Sequence, residues 1–393
     1  MSHMYAIIGA GRTGKAAAYD LARHGQARAI RLFDIDGGRA RAVADELRPL
    51  LATLAQPPEI TAAPLDAADL DATARAIAGS DAVMSCSAYW LNADLAAVAI
   101  AQKAHFNDLG GNTEVVQREL ALDARARAAG VSIVPDCGLA PGLVNTLAAA
   151  GMGRLARCER VALRCGGLPQ QPRGPLDYAL SFSITGLTNE YTGQAFVLRD
   201  GALVTVPALA ELEDIHFDGL PPLEAFVTTG GASTAPESFA GTVRDYDYKT
   251  MRYRGHCQKL RLLDALGLFS LQPVEVEAQQ VVPRRLLEAV MGPRLSFADS
   301  RDLILVRVTC EGVLADGSRA RVVFEMVDRH DEATGLSAME RCTSFPAAAV
   351  THLQASGGVA PGARRLETEV PAEPLLAATR ARGLEIRERL EKL

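Results

Sequence analysis

The sequence predicts an α/β protein of two domains, and three observations support this. The chain has 393 residues, and a single hydrophobic core of ordinary size does not accommodate that many. Through residue 142, short apolar runs alternate with helix-like segments, which is the pattern of βαβ units and a parallel sheet. Beyond that point, alternating runs are joined by Asp-Gly, the strongest short-range signal for an antiparallel hairpin.

The first domain is expected over residues 1–142 as a parallel sheet with helices between its strands. Each predicted strand is a short apolar or β-branched run. The predicted strands are Tyr5–Ile8, Ala29–Phe33, Ile60–Leu65, Ala82–Ser85, His105–Leu109 and Val131–Val134. The predicted helices are Lys15–His24, Arg39–Leu51, Ala68–Ala78, Ala93–Ala104 and Val116–Ala129.

The second domain is expected over residues 143–335 and is of the α+β class, with a largely antiparallel sheet. Leu143–Gly151 is its first predicted helix. Asp200-Gly201 and Asp316-Gly317 each separate two alternating runs, so each predicts the turn of a hairpin.

The C-terminal segment, residues 336–393, is expected to pack back on the first domain. Its pattern becomes helical again at Leu336–Ser356. Leu375–Leu390 is rich in Arg and Glu and predicts an amphipathic helix.

Composition and charge exclude several classes of protein. The formal net charge is −6 and no basic stripe occurs, so we expect no nucleic-acid partner. No apolar run approaches the roughly 18 residues of a membrane span, so no membrane partner is expected. The seven cysteines are odd in number and contain no C-x-x-C pair, which argues against a disulfide framework or a zinc site. We therefore expect reduced thiols, a cytoplasmic location and no metal.

The segment Gly9-Ala10-Gly11-Arg12-Thr13-Gly14 follows the first predicted strand and opens the first predicted helix. This is the G-x-G-x-x-G pattern of a Rossmann domain, in which a pyrophosphate lies at the helix N-terminus. Gly9 permits the tight turn, Gly11 lets the backbone approach the phosphates, and Gly14 lets the helix pack on the strand. With Arg12 and Thr13 in the same loop, the first domain is expected to bind a nicotinamide dinucleotide.

Asp34 ends the second predicted strand, about 20 positions beyond Gly14. An acidic residue there accepts hydrogen bonds from the ribose hydroxyls, and its charge repels a 2′-phosphate. The sequence therefore predicts NAD rather than NADP. Arg39 and Arg41 are the alternative signal, since a nearby arginine accommodates that phosphate, but we expect both on a solvated helix face.

Four further residues are assigned to the cofactor. Asp66 follows the third predicted strand and either lies near the adenine or caps the next helix. Cys86 and Ser87 follow the fourth strand and leave room for the nicotinamide ribose, and no basic neighbour favours Cys86 as a nucleophile. Asn145 is assigned a contact with cofactor or substrate.

Three motifs are similar to those of a known family. They are Asn107-Asp108-Leu109-Gly110-Gly111, Pro135-Asp136-Cys137-Gly138-Leu139-Ala140-Pro141-Gly142 and Tyr248-Lys249-Thr250-Met251-Arg252-Tyr253-Arg254-Gly255-His256. On these motifs the chain resembles the saccharopine dehydrogenase-like proteins, most closely the lysine 6-dehydrogenases. The resemblance implies amino-acid substrates, redox chemistry at a carbon–nitrogen bond, and a homodimer whose contacts come from the second domain.

The second domain is expected to hold the substrate over the nicotinamide. An amino-acid carboxylate needs a cation, ideally the bidentate fork of arginine. Arg252 and Arg254 share a face if they lie on one strand, and either can bind the carboxylate; the alternative is a pair of surface arginines. Thr250 lies on that face too, whereas Lys249 points the other way and is the weaker substrate-binding candidate.

Three residues are candidates for catalytic roles. Asp136 ends the sixth predicted strand, where it either pairs with a substrate ammonium or forms a turn. His256 is placed on the face of Arg252, as a general base or as a structural histidine. Tyr248 is placed on the same face.

Three hypotheses for function follow. The leading one is NAD-dependent oxidative deamination of the lysine ε-amine to the semialdehyde, which cyclises to an imine. The second is a saccharopine-type dehydrogenase that forms or cleaves a secondary amine between an amino acid and a keto acid. It needs a second carboxylate site, for which Arg164, Arg173 and Arg244 are available. The third is an NAD(H)-binding regulator without catalytic activity.

Overall fold

The computed structural model describes residues 2–393, so only Met1 lies outside it. The strands are β1 (His3–Ile8), β2 (Ala27–Asp34), β3 (Glu59–Pro64), β4 (Ala82–Ser85), β5 (His105–Asp108), β6 (Ser132–Val134), β7 (Arg157–Pro169), β8 (Gln194–Arg199), β9 (Ala202–Pro207), β10 (Glu213–Ile215), β11 (Leu223–Val227), β12 (Asp245–Tyr253), β13 (Val274–Val276), β14 (Gln279–Val281), β15 (Asp302–Val313), β16 (Arg319–Arg329), β17 (Gly362–Ala363) and β18 (Arg387–Lys392). The helices are α1 (Arg12–His24), α2 (Gly37–Leu51), α3 (Leu70–Ile77), α4 (Asn92–Ala101), α5 (Thr113–Leu120), α6 (Asp123–Ala129), α7 (Leu143–Met152), α8 (Ile184–Glu190), α9 (Ala235–Ser238), α10 (His256–Ala265), α11 (Pro283–Leu295), α12 (Ala338–Ala355), α13 (Leu366–Glu369) and α14 (Ala372–Ala381).

The first sheet has seven parallel strands in the order β17-β6-β5-β4-β1-β2-β3. The predicted Rossmann sheet is confirmed, because its six predicted strands are all present. One helix boundary was wrong: the predicted helix Val116–Ala129 is two helices, α5 and α6, separated by a turn. The seventh strand, β17, comes from the C-terminal segment.

The second sheet is mixed and mostly antiparallel, as the sequence predicts. Its main path runs β10-β11-β12-β7-β15-β16-β18, and the β8–β9 hairpin joins it through β12. Its one parallel pair is β7 with β12. Both Asp-Gly hairpins are present, as β8–β9 and β15–β16. Within residues 2–393, no helix is long and apolar enough to cross a bilayer.

The predicted helix Leu375–Leu390 is wrong over its second half. Helix α14 ends at Ala381, and Gly383 then takes a left-handed conformation with φ of +83°. The chain continues as β18, which pairs with β16 along six residues. Arg and Glu favour a helix locally, but the unpaired edge of β16 satisfies the backbone of this segment as a strand.

Helix α12 packs on the first sheet and on α1. The Gln354 side-chain amide donates to the backbone oxygens of Phe106 and Ser132, at 2.9 and 3.0 Å. Asn107 donates to the backbone oxygen of Ala347 at 2.8 Å. These bonds fix α12 against β5 and β6, while β18 extends the second sheet, so the C-terminal segment contributes to both sheets.

A buried ion pair fastens the C-terminal segment to α1. Arg382 Nε donates to Asp20 Oδ2 at 2.8 Å, and the two side chains are 4% and 0% exposed. Burial raises the pKa of Asp20 to about 7, even though the positive charge of Arg382 opposes that shift. The pair therefore holds the segment in place at a considerable desolvation cost.

Replacing Arg382 with Met should lower the free energy of unfolding by about 3–5 kcal/mol, because it leaves a buried carboxylate without a partner. The loss should grow as pH rises above neutrality, since protonation of Asp20 relieves it at lower pH. Chemical denaturation at two pH values measures this. Arg28→Met is the control: it breaks the exposed Arg28–Asp81 pair and should cost at most about 1 kcal/mol. Equal losses for the two variants would contradict the interpretation.

Candidate nucleotide and substrate cleft

The glycine loop between β1 and α1 requires its three motif glycines for different reasons. Gly9 has φ of +100°, and a Cβ there would lie 2.5 Å from the Cys86 backbone oxygen. A Cβ on Gly14 would lie 1.9 Å from the Gly9 backbone oxygen. A Cβ on Gly11 would meet nothing within 4 Å. Folding therefore requires Gly9 and Gly14, whereas Gly11 leaves open space above the loop.

The N-terminus of α1 is suited to bind an anion. The helix is 13 residues long, its N-cap is Gly11, and no side chain caps it. Its first amide groups and its dipole therefore face the open space beside Gly11. These features fit the pyrophosphate of a nicotinamide dinucleotide.

Asp34 lies at the carboxyl end of β2, next to the glycine loop. Its Oδ2 accepts from the Ala10 amide at 3.0 Å, and its Oδ1 accepts from the Asp36 amide at 2.9 Å. Arg39 Nη1 lies 4.0 Å from Oδ1. Ile35, the next residue, is 74% exposed and offers an apolar surface of the kind an adenine ring covers.

Arg12 and Thr13 connect the glycine loop to the rest of the molecule. Arg12 Nε donates to Glu340 Oε1 at 3.0 Å, and its Nη1 donates to the Ser181 backbone oxygen at 3.4 Å. Ser344 Oγ donates to the Thr13 backbone oxygen at 2.9 Å. The loop thus contacts α12 and the segment before α8 at the same time.

The four other residues assigned to the cofactor lie in three different places. Cys86 and Ser87 follow β4 beside the glycine loop, and burial raises the pKa of the Cys86 thiol to about 12, so it is not a reactive thiolate. Asp66 is exposed and accepts from the Ala68 amide at 3.0 Å, while the N-cap of α3 is Asp69. Asn145 is buried and donates to the Ala232 backbone oxygen at 3.1 Å, which ties α7 to the second domain.

Three buried acids lie at the carboxyl edge of the first sheet: Asp108, Glu119 and Asp136. Asp108 Oδ1 accepts from the Gly110 amide at 2.6 Å and from the Asp136 amide at 3.4 Å. Burial, followed by the charge of Asp108, raises the pKa of Glu119 well above its usual range. Asp108 and Glu119 were not among the predicted site residues, although Asp108 lies in one of the motifs that carry the family resemblance.

Asp136 combines a strained backbone conformation with one unpaired carboxylate oxygen. Its φ of +62° is a left-handed conformation that non-glycine residues adopt at a cost. Ser233 from the second domain donates to Oδ2, whereas Oδ1 has no hydrogen-bond partner within residues 2–393. Burial, followed by the charge of Asp108, raises the pKa of Asp136 well above its usual range. A carboxyl group with a raised pKa and an unpaired oxygen is a candidate general acid or base.

A cavity of about 120 Å³ lies beside the Ser233 contact, between α5 and the second sheet. Thr113, Thr228, Ser233 and Tyr248 are among its lining residues. The Thr228 and Thr250 hydroxyls are 2.7 Å apart, and Thr250 Oγ1 donates to the Tyr248 hydroxyl at 3.2 Å. The structure thus brings two predicted site residues, Tyr248 and Thr250, into one hydroxyl cluster at this cavity.

Arg252 is buried in a polar and aromatic cluster. Its Nε donates to the Tyr191 hydroxyl at 3.1 Å, and its Nη2 lies 3.5 Å from Glu190 Oε2. The guanidinium stands 4.9 Å from the centre of the Tyr178 ring. Burial raises the pKa of Glu190 to about 7, although the Arg252 charge opposes the shift. Sequence reasoning had no signal for Glu190, because the pair joins distant parts of the chain.

His256 belongs to the same cluster but has no free ring nitrogen. Its Nε2 is 3.0 Å from the Tyr191 hydroxyl and its Nδ1 is 2.9 Å from the Leu176 backbone oxygen. It begins α10 rather than continuing β12, contrary to the prediction that it extends the strand face of Arg252. Burial, followed by the charge of Arg252, lowers the pKa of His256 to about 3, so this histidine orients Tyr191 as a neutral ring.

The two remaining substrate-binding candidates lie elsewhere. Lys249 points to the opposite face of β12, as expected, and donates to Glu213 at 2.7 Å. Arg254 follows the end of β12, is exposed, and pairs with Asp214 at 2.7 Å. The structure brings neither of them into the cluster around Arg252. Within residues 2–393, no group of three His, Cys, Asp or Glu side chains has metal-binding geometry, and the absence of a metal stays a prediction.

Two family models match this chain almost end to end. The saccharopine dehydrogenase NADP binding domain matches residues 5–134, and the saccharopine dehydrogenase C-terminal domain matches residues 138–384. The chain belongs to the saccharopine dehydrogenase family. The resemblance seen in the sequence is confirmed at this level. The protein is therefore a nicotinamide-nucleotide oxidoreductase of amino-acid substrates.

One solved structure shares the fold of the whole chain. An apo saccharopine dehydrogenase (L-Glu forming) from Saccharomyces cerevisiae superposes with a TM-score of 0.80 at 16% identity, over 99% of this chain and 100% of that one. An oxidoreductase domain protein from Kribbella flavida is 12% identical over 100% and 99% of the two chains, with a TM-score of only 0.40. The yeast structure shows that the whole two-domain arrangement is shared.

The different roles of Gly11 and Gly14 predict different effects of adding one methyl group. Gly11→Ala should leave thermal stability unchanged and weaken NADH binding about tenfold or more, because the new Cβ occupies the space of the phosphates. Gly14→Ala should lower the melting temperature, because its Cβ collides with the backbone. Fluorescence titration with NADH and thermal unfolding of both variants measure this. Unchanged NADH affinity in Gly11→Ala would contradict the assigned phosphate site.

Proposed function

We propose that this protein is an NAD-dependent dehydrogenase that oxidises the carbon bearing the ε-amine of lysine, or of a closely similar amino acid. The substrate ammonium loses a proton, a hydride leaves the carbon, and water adds to the resulting iminium. Release of ammonia then gives the semialdehyde. The nicotinamide, when bound, supplies the hydride acceptor; the protein's residues bind, orient and deprotonate the amine.

The single observation that carries this proposal is Asp136 with its unpaired Oδ1. An amine with a pKa of about 10.4 is protonated at neutral pH, and hydride loss requires the free amine. Asp136 is buried, has a raised pKa, and is held by Ser233 beside the cavity. A carboxylate there accepts the proton of the substrate ammonium and at the same time stabilises the ammonium on entry.

Arg252 is proposed to bind the α-carboxylate at the other end of the substrate. It is the buried arginine of the cluster next to the Tyr248 and Thr250 hydroxyls, and Glu190 is its partner in the absence of substrate. A substrate carboxylate therefore replaces Glu190 as counter-ion. With its pKa near 7, Glu190 takes up a proton at little cost when it is displaced.

The charges of the second domain favour one carboxylate site over several. The three arginines available for a saccharopine-type site are all paired within the protein. Arg164 pairs with Glu213 and Asp247, Arg173 with Asp299, and Arg244 with Asp245. This supports an amino acid with one carboxylate as the substrate, rather than a secondary amine between two acids.

NAD is proposed as the cofactor because the Asp34 carboxylate lies at the end of β2, where it would accept hydrogen bonds from the ribose hydroxyls and repel a 2′-phosphate. Arg39, 4.0 Å away, is the residue that would favour NADP.

The seven cysteines form no disulfide in the structure, which supports a reducing compartment such as the cytoplasm. A homodimer, as the family resemblance implies, is part of the same proposal.

Turnover of a substrate panel tests the function. We expect NADH formation with L-lysine, a lower rate with NADP, and little activity with saccharopine or with cadaverine, which lacks the carboxylate. Faster oxidation of saccharopine would establish the second hypothesis instead. Tight NADH binding without turnover of any amine would favour the third hypothesis, an NAD(H)-binding regulator without catalytic activity.

Asp136→Asn should reduce kcat by about 100-fold or more, because it removes the proton acceptor. NADH affinity should stay unchanged. The native kcat should rise with pH through the raised pKa of Asp136, since only the ionised form accepts a proton, and this dependence should disappear in the variant. Asp71→Asn, an exposed change on α3, is the matched control. Retention of the native pH profile by Asp136→Asn would rule out the role.

Arg252→Ala should raise KM for lysine about 10- to 100-fold with NADH affinity nearly unchanged, because a hydrogen bond to a charged group is worth about 1.5–3 kcal/mol. Arg252→Lys should recover only part of the loss, since lysine lacks the fork. Removing Arg252 leaves Glu190 without its counter-ion, so the double variant Arg252→Met with Glu190→Gln serves as the folded control. Steady-state kinetics of all three measure the effect. A native KM for lysine in the double variant would show that Arg252 does not bind the substrate carboxylate.

A further inference from the structure

Glu119 lies on the buried face of α5, where the pattern of the helix favours an apolar side chain. Val115 and Val116, four and three residues before it, are buried on the same face. The Glu119 side chain is fully buried as well, and within residues 2–393 no donor group reaches either of its carboxyl oxygens. An ionised carboxylate without donors is costly to bury, so the position favours the neutral acid.

Asp108, at the end of β5, lies within hydrogen-bonding reach of Glu119. Its Oδ1 accepts from the Gly110 and Asp136 amides, at 2.6 and 3.4 Å, whereas within residues 2–393 no donor group reaches its Oδ2. An ionised carboxylate only accepts hydrogen bonds, so two ionised acids would repel each other here. A hydrogen bond between the two side chains therefore requires a proton on one of them.

The proton belongs on Glu119 rather than on Asp108. Two backbone amides stabilise the ionised form of Asp108, and in the described part of the chain no amide does so for Glu119. Arg118, the basic residue next to Glu119, is exposed and pairs with Asp94 at 3.1 Å, so its charge does little for the buried pair. Burial, followed by the charge of Asp108, raises the pKa of Glu119 well above its usual range.

The other titratable groups nearby leave this assignment unchanged. Asp136 and Cys137 follow β6, and Cys86 follows β4. Burial raises the pKa of both thiols, so they stay neutral at neutral pH. Glu367 on α13 accepts from hydroxyl groups of the second domain, and its charge acts on Asp136. The group of the proposed mechanism that the pair affects is Asp136, through the charge of its ionised member.

We propose that Glu119 stays protonated and donates to Asp108 Oδ2, so that the two acids together place one negative charge beside Asp136. Glu119 is then a positioning residue, because it acts on Asp136 only through Asp108. The inference rests on the proposed function in one respect, that Asp136 is the proton acceptor. The negative charge makes Asp136 a stronger base, and Glu119 keeps that charge in place by supplying the donor that Oδ2 otherwise lacks.

The shared proton is tested without any substrate. Glu119 holds its proton in the folded protein and loses it on unfolding, where its pKa returns to about 4.3. Its contribution to stability is therefore complete below that pH and is lost as pH rises toward the raised value of the folded state. Glutamine releases no proton. Between about pH 6 and 7, chemical denaturation should show the unfolding constant of the native protein rising about tenfold more steeply per pH unit than that of Glu119→Gln.

Infrared spectroscopy detects the same proton directly. A protonated carboxyl group has a C=O stretch apart from the bands of ionised carboxylates. At neutral pH the native protein should show such a band, which Asp136→Asn retains and Glu119→Gln loses. Glu114→Gln, an exposed change on the same helix, is the matched control and should keep both the band and the native pH dependence of unfolding. A native pH dependence in Glu119→Gln, with no band lost, would mean that Glu119 is ionised and would overturn the proposal.

The pH dependence of lysine turnover tests the effect on Asp136. Glu119→Leu removes the donor, so the buried Asp108 takes up a proton and its charge is lost. The rise of kcat with pH should then move to lower pH by about one unit, and Asp108→Asn should cause the same shift. Glu119→Gln should keep the native profile, because its amide donates to Oδ2. Unshifted profiles in both Glu119→Leu and Asp108→Asn would leave Glu119 a merely structural role.

A failure of the proposed function gives a different result. If the native protein turned over no amine, the role of Asp136 would be lost, while the unfolding and infrared measurements would still decide whether Glu119 is protonated. NADH binding of each variant reports on whether it is folded. If Glu119→Leu does not fold, Glu119→Gln and Asp108→Asn are sufficient for the comparison with the native protein.

Discussion

The burial of three carboxyl groups at one edge of the first sheet constrains much of the structure around it. Asp108, Glu119 and Asp136 repel one another when ionised, so they fold together only if protons and amide donors offset that repulsion. The Gly110 and Asp136 amides supply donors to Asp108, and a Cβ on Gly110 would lie 2.3 Å from Asp136 Oδ1. The second domain closes the cluster through Ser233. The position of that domain over the sheet edge is thus linked to the acids beneath it.

The sequence alone was sufficient to predict those parts of the fold that depend on the pattern of neighbouring residues. The period of the apolar residues identified the parallel sheet, the Asp-Gly turns identified both hairpins, and the glycine motif located the turn between β1 and α1, because each is determined by neighbouring residues. The sequence prediction failed for β18. This segment is a strand because it pairs with the free edge of β16, although its own composition favours a helix. Glu190 and Glu119 were missed for the same reason. Their importance comes from partners on other elements, which no spacing rule in one sequence reveals.

The second domain separates its charges onto two faces of one strand. On one side of β12, Lys249 joins acids that neutralise it, next to the Arg164 pairs. On the other, Arg252 has one counter-ion, Glu190, and burial raises the pKa of this carboxyl group to about 7. In the first arrangement every cation is paired with acids of the protein, and these pairs stabilise the sheet. The second is easily exchanged, which is what a site for a charged ligand requires, since a ligand must compete with the partner it replaces.

The return of the chain from the second sheet to the first has a consequence for the order of folding. Helix α12 and strand β17 complete the first sheet, yet they follow the whole second domain in the chain. During synthesis, the N-terminal strands therefore emerge with one edge unpaired and one face only partly covered, by α1 and α2, until nearly all of the chain has left the ribosome. Because domains that are complete in sequence fold as they emerge, this protein cannot finish its first domain early. We expect its nascent chain to expose apolar sheet surface for longer than that of a domain that is continuous in sequence.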